Sequence, residues 1–181
     1  MKEISMHILD IVMNSIKAKS SLIELLIEES IKNNIILITI KDNGMGMSGE
    51  MTKLVTDPFF TTRITRKIGL GLPMLKEACE RCNGFLEVKS EVGKGTIVKC
   101  SFEINNIDRA PLGNMGDTIM TIINSLDNCE FIYKHNTDNI SFYLNSAEIY
   151  TLLDGGSIKD CSVLIWIKDY VNENIRSISN I

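Results

Sequence analysis

The chain has 181 residues, a net charge of -4 and 44% hydrophobic residues, enough for a sizeable core in one large domain, or in an ordinary domain with a small appendage. The acidic balance gives no electrostatic footprint for nucleic acid, and no stretch is long and apolar enough to span a bilayer. The opening Met1-Lys2-Glu3-Ile4-Ser5-Met6-His7 has charges where a signal peptide needs an apolar run, so the five cysteines read as reduced thiols of a cytoplasmic protein.

The first segment, about Lys2 to Lys19, reads as a helix. Ile4, Ile8, Leu9, Ile11, Val12 and Ile16 recur at helical spacing, while His7, Asp10, Asn14 and Lys17 form a polar stripe. Two strands follow, with Ile23, Leu25 and Ile27 and then Ile36, Ile38 and Ile40 at period two. The second delivers the chain to Asp42. From Asn43 to Ile68 periodicity is weak apart from a short helical piece near Glu50 to Val55, the pattern of a functional loop or lid. Leu72 to Cys82 reads as a helix stopped by Asn83-Gly84. A hairpin follows, with strands at about 85–90 and 96–104 around Val92-Gly93-Lys94-Gly95.

These elements predict a two-layer α/β sandwich over residues 1–105, with a mixed, largely antiparallel sheet covered on one face by the two helices. Residues 106–116, with Pro111, Gly113 and Gly116, read as a linker. Residues 117–181 then read as a small α/β module: helix, strand to His135, strand to Leu144, short helix, and a last amphipathic helix with Leu164, Ile167, Val171 and Ile175 on one face.

Asp42-Asn43-Gly44-Met45-Gly46-Met47 sets a carboxylate at a strand end ahead of two glycines. Gly44 to Gly49 satisfies G-x-G-x-x-G, but the basic, strandless sequence after it does not continue as a dinucleotide fold requires. A Walker loop is excluded as well, because Gly95 follows Gly93-Lys94 where Ser or Thr is needed.

Several ordered pieces together resemble the GHKL ATPase superfamily of DNA gyrase, heat-shock chaperones, histidine kinases and mismatch-repair ATPases. Asp10-Ile11-Val12-Met13-Asn14-Ser15-Ile16-Lys17-Ala18 resembles its N box, and Asp42 to Met47 its G1 box. Asp57-Pro58-Phe59-Phe60-Thr61-Thr62 resembles the F box of histidine kinases, Gly69-Leu70-Gly71-Leu72 the G2 box, and Ser90 to Thr96 the closing strand and turn. The resemblance spans about residues 1–105 and is closest in detail to the histidine kinase catalytic domain. It implies a GHKL-type (Bergerat) sandwich that binds ATP with Mg²⁺.

The physical chemistry of the residues suits those roles. A buried carboxylate at Asp42 would accept a hydrogen bond from the adenine amino group. Gly44 and Gly46 would let backbone approach the base, with Met47 beside them. The resemblance puts Thr96 next to Asp42 and makes Asn14 the metal ligand, its amide oxygen suited to Mg²⁺. Lys17 would meet phosphates as a point charge. The amides of Gly69, Leu70 and Gly71, with Leu72 after them, open a helix that suits a phosphate. Arg63, Arg66 and Lys67 would fold over it from the lid.

Asp10 stands where hydrolysing members commonly have Glu, and is the expected water-activating base. The chain begins at the N box, with no room before it for a phospho-accepting helical hairpin, so transfer to a separate protein in trans is expected. Three activities compete: a kinase acting on a His or, in the manner of anti-sigma-factor kinases, on a Ser or Thr; an ATPase that switches a partner; and a nucleotide sensor without catalysis. Cys79 and Cys82 form a C-x-x-C without a second pair of ligands, which favours helix packing over metal binding. His7 is expected to be structural.

Overall fold

The computed structural model describes residues 2–55 and 71–179. The chain runs α1 (Ile4–Lys17), β1 (Leu22–Ser30), β2 (Ile35–Asp42), α2 (Gly49–Leu54), α3 (Gly71–Arg81), β3 (Leu86–Glu91) and β4 (Gly95–Glu103). It continues with α4 (Met115–Ser125), β5 (Glu130–Asn136), β6 (Ser141–Asn145), α5 (Ser146–Leu152) and α6 (Cys161–Ser179). Most predicted boundaries hold within a residue or two; β1 runs on to Ser30, past the alternation of Ile23, Leu25 and Ile27, because its ladder with β2 extends to that residue.

The strands form one six-stranded sheet in the order β3-β4-β2-β1-β5-β6. Neighbours are antiparallel except β1 and β5, which run parallel. Residues of period two dictate which face is covered. Ile23, Leu25 and Ile27 on β1, Ile36, Ile38 and Ile40 on β2, and Val98, Cys100 and Phe102 on β4 all point inward and are buried. Helix residues at spacings of three and four meet them: Ile4, Ile8, Ile11 and Val12 from α1, and Leu75 and Cys79 from α3. Burying each such aliphatic side chain stabilises the fold by about 1.5–3 kcal/mol. The alternate residues face solvent, where Lys41 and Glu24 pair at 3.0 Å across β2 and β1. The sandwich and its covered face are therefore as the sequence implied.

Residues 117–179 extend the same sheet and the same helical layer. Phe131 of β5 stands opposite Ile23 of β1, and Leu144 of β6 opposite Tyr133. Ile119, Ile122 and Ile123 of α4 and Ile167 and Val171 of α6 join the single core cluster. A polar chain also ties β5 to β1. The hydroxyl of Tyr133 lies 2.8 Å from Nδ1 of His135, and Nε2 of the same ring lies 2.8 Å from the Glu29 carboxylate. His135 is fully buried, and each of its ring nitrogens has a partner, Nδ1 the Tyr133 hydroxyl and Nε2 the Glu29 carboxylate. Among the described residues, no helix is long and apolar enough to cross a membrane.

Candidate nucleotide site

The alternation that buries Ile36, Ile38 and Ile40 also turns Asp42 inward, at the strand end where the helical layer stops. Its side chain is 7% exposed. The register sets it opposite Thr96 of β4 on one side and Ile23 of β1 on the other. Ser15 on α1 donates a hydrogen bond of 2.6 Å from its hydroxyl to Oδ2 of Asp42, and the Gly44 amide donates to Oδ1 at 2.9 Å. The carboxylate is thus fixed by one helix residue and one loop amide, leaving acceptor capacity on both oxygens.

The loop after Asp42 is pinned on every side. The Asn43 side chain accepts from the amides of Ser21 and Leu22 at 2.9 and 3.0 Å. Met45 donates its amide to Ala18 at 3.0 Å and accepts from Gly93 at 2.8 Å. The Met47 amide donates to Ser90 Oγ at 2.8 Å, and Ser90 Oγ lies 2.9 Å from Thr96 Oγ1. Gly46 has φ +65°, and a Cβ there would collide with the Glu91 carbonyl; only glycine fits. The G1 loop is therefore clasped by the α1 end and by the β3–β4 turn.

Asn14, Lys17, Asp42, Gly46, Met47, Leu72 and Thr96, all expected at the site from the sequence, line one cavity of about 530 Å³. That size is ordinary for a small-molecule site. The remaining wall is mostly apolar: Ile11, Met45, Met51, Val55, Val92 and Val98. Asn14 and Lys17 are exposed on its rim. Gly44 contributes its amide to Asp42. Asp10 does not line the cavity; its carboxylate lies against the Cα of Gly71, so that a side chain on Gly71 would strike it. This brings the N box and the first turn of α3 together, with a negative group at a helix start. Gly69 and Leu70 lie outside the described residues, as do the expected F box and Arg63, Arg66 and Lys67.

Ser15, Asn43 and Ser90 lie inside the motifs read from the sequence, but nothing in the sequence alone assigned them a role at the site. A serine four residues after Ile11, on the apolar stripe of an amphipathic helix, was the available signal for the first. His7 departs from the polar stripe and is buried. Burial pushes its imidazole down from its ordinary value, and its Nδ1 has no hydrogen-bond partner among the described residues. It borders a smaller cavity of about 150 Å³ with Ile4, Met74, Arg81 and Phe102. Cys79 and Cys82 are buried in the core, and no cluster of three His, Cys, Asp or Glu side chains suited to a metal occurs among the described residues.

Fold and site define a class, and the comparisons agree with it. The family model for histidine kinase-, DNA gyrase B- and HSP90-like ATPases matches residues 2–106, more than half of the chain. The chain belongs to that family, and the curated relatives it resembles include several sensor and sporulation kinases. It is 42% identical over 62 residues to sporulation kinase E of Bacillus subtilis, covering 34% of this chain and 8% of the kinase. It is 38% identical over 61 residues to sporulation kinase C of the same organism, covering 34% and 14%. The chain thus spans a small part of the length of these kinases. Among solved structures, the N-terminal domain of a DNA repair protein superposes with a TM-score of 0.55 at 15% identity, over 81% of this chain and 53% of that one, which is a likeness of fold.

Proposed function

We propose that this chain binds ATP with Mg²⁺ in the 530 Å³ cavity and passes the γ-phosphoryl group to a separate protein, or slowly to water. The observation that carries the reading is Asp42: a buried, acceptor-only carboxylate, braced by Ser15 and Gly44, at the end of an apolar slot. Such a group rewards a ligand that donates from a planar apolar ring, as adenine does through its amino group, and rejects one that presents a carbonyl there. Thr96, hydrogen-bonded to Ser90, supports the same edge of the base.

The rim supplies the polar functions. Asn14 offers an exposed amide oxygen, the donor type Mg²⁺ accepts while keeping phosphate oxygens and waters as its other ligands. When bound, the ion neutralises phosphate charge as the γ-phosphoryl group departs. Lys17, one turn along the same face, meets a phosphate as a point charge. Asp10 serves to hold or take a proton from the attacking group.

The chain's two histidines are His7 and His135, and both are buried. Neither offers an accessible acceptor nitrogen, so self-transfer to either of these two rings is disfavoured. The nucleotide-sensor reading has its own support: the Asp10 carboxylate rests on Gly71 and not on the cavity wall, which suits binding with weak hydrolysis. Incubation with γ-labelled ATP separates the readings. Label on a second protein marks a kinase acting in trans, free phosphate an ATPase, and neither a sensor.

A further inference from the structure

We infer that Met45 and Met51 form an oxidative modification site, at which a peroxide converts the thioethers to sulfoxides and thereby weakens nucleotide binding. The inference rests on the nucleotide reading of the cavity.

The sulfur chemistry of this chain is unevenly exposed. Of its nine methionines, three line one cavity: Met45, Met47 and Met51. Met45 is 57% exposed and Met51 37%, so a small oxidant reaches both sulfurs when the cavity is empty. Most of the thiols are less accessible. Cys79, Cys82 and Cys100 are buried, and burial pushes Cys82 up, while a hydrogen bond with Cys79 and burial raise Cys100. Cys129 is pushed up to about 11, by burial and then by the charges of Asp42 and Glu130. The thiolate is the nucleophile towards peroxide, and these groups hold their protons at neutral pH. A thioether has no proton to lose, so access alone governs its reaction. Cys161, the exposed thiol, opens α6 and is not among the residues lining the cavity.

The step is a two-electron oxygen transfer. A sulfur lone pair attacks one oxygen of hydrogen peroxide, the O–O bond breaks, an S–O bond forms, and the remaining oxygen leaves as water. Sulfur is oxidised and the peroxide reduced. The product places a strong acceptor beside the apolar side chains of Leu72, Val55, Val92 and Val98. A base stacked there strips water from the S–O dipole, which opposes binding. The Met45 backbone stays at the cavity wall, held to Ala18 and Gly93. Methionine sulfoxide reductases reverse the change.

The test uses the full chain carrying Cys161→Ser, treated with hydrogen peroxide, mapped by mass spectrometry and titrated with Mg-ADP by calorimetry. One added oxygen should appear on Met45 and Met51 well before buried Met115, and ADP affinity should fall on the order of tenfold. Affinity should return after treatment with the A and B reductases. A second arm compares Met45→Leu/Met51→Leu with itself before and after peroxide. It retains exposed Met6 and Met74, and its affinity should hold within a factor of about two. Unchanged ADP affinity with Met45 and Met51 fully oxidised overturns the inference and leaves the nucleotide reading standing. An equal loss in the double variant overturns it too, by placing the effect elsewhere. Untreated protein that binds no adenine nucleotide removes both.

Discussion

Ser15 and Asp42 are 27 positions apart, yet the serine hydroxyl donates to the aspartate carboxylate at 2.6 Å. The bond joins the first helix to the second strand at the point where the cavity opens. It fixes the rotamer of a buried carboxylate that lines the cavity. Ser15→Ala removes that donor and leaves a buried acceptor under-satisfied. The expected cost is about 1–3 kcal/mol of stability, with weaker ADP binding as well. Urea denaturation and titration check it; a variant equal to wild type in both would show the bond to be incidental.

Asp10 and Asn14 should separate in their effects. On the proposed reading Asp10 is a base that acts mainly in the transition state, so in Asp10→Asn turnover should fall while ATP affinity is spared. On the same reading Asn14 is an oxygen ligand, so Asn14→Ala should depress both Mg-dependent binding and turnover. Phosphate release and calorimetric titration on the two variants distinguish these patterns. Unchanged turnover in Asp10→Asn moves the weight to the sensor or kinase readings, where no water needs activating.

His7 carries a pH prediction. Burial holds its folded-state pKa below the unfolded value. Between those two values the unfolded chain binds the extra proton, so stability is full above about pH 6.5 and declines as the pH falls through that value towards the lower folded pKa. Thermal melts of wild type should therefore lose more between about pH 7 and pH 5 than melts of His7→Gln. Parallel curves for the two proteins would rule this out.

Tyr133, His135 and Glu29 couple β5 to β1. Tyr133→Phe keeps the ring, which packs edge-on against Phe142 at 5.8 Å between centroids, but deprives His135 Nδ1 of its hydrogen-bond partner. Stability should drop by about 1–3 kcal/mol, read as a lower denaturation midpoint with an unchanged slope. No change would mean that water replaces the hydroxyl.

Much of this was legible in the chain itself, for identifiable reasons. The alternation of Ile36, Ile38 and Ile40 sets the phase that turns Asp42 inward, because period two is rigid. Thr96 stands opposite it in the β2–β4 register, a pairing that the resemblance implied and that alternation within one strand does not encode. The parallel pairing of β5 with β1 was not legible, since it joins segments more than a hundred residues apart and no local signal encodes the partner. Ser15 escaped notice because a buried serine on an apolar helix face looks like a tolerated small residue until the facing carboxylate is known. Asp10 belonged to the right helix stripe, but its contact with Gly71 depends on how α3 packs against α1, which spacing alone does not specify.

The most direct measurement of the central claim is calorimetric titration of Mg-ATP into wild type and Asp42→Asn. The amide keeps the shape of the side chain and can still accept from Ser15, but it replaces one acceptor with a donor facing the adenine amino group. Loss of the charge-assisted bond should cost on the order of 2 kcal/mol or more, tens-fold in affinity. Equal affinity in the two proteins would contradict the assignment of Asp42 as the adenine-reading residue.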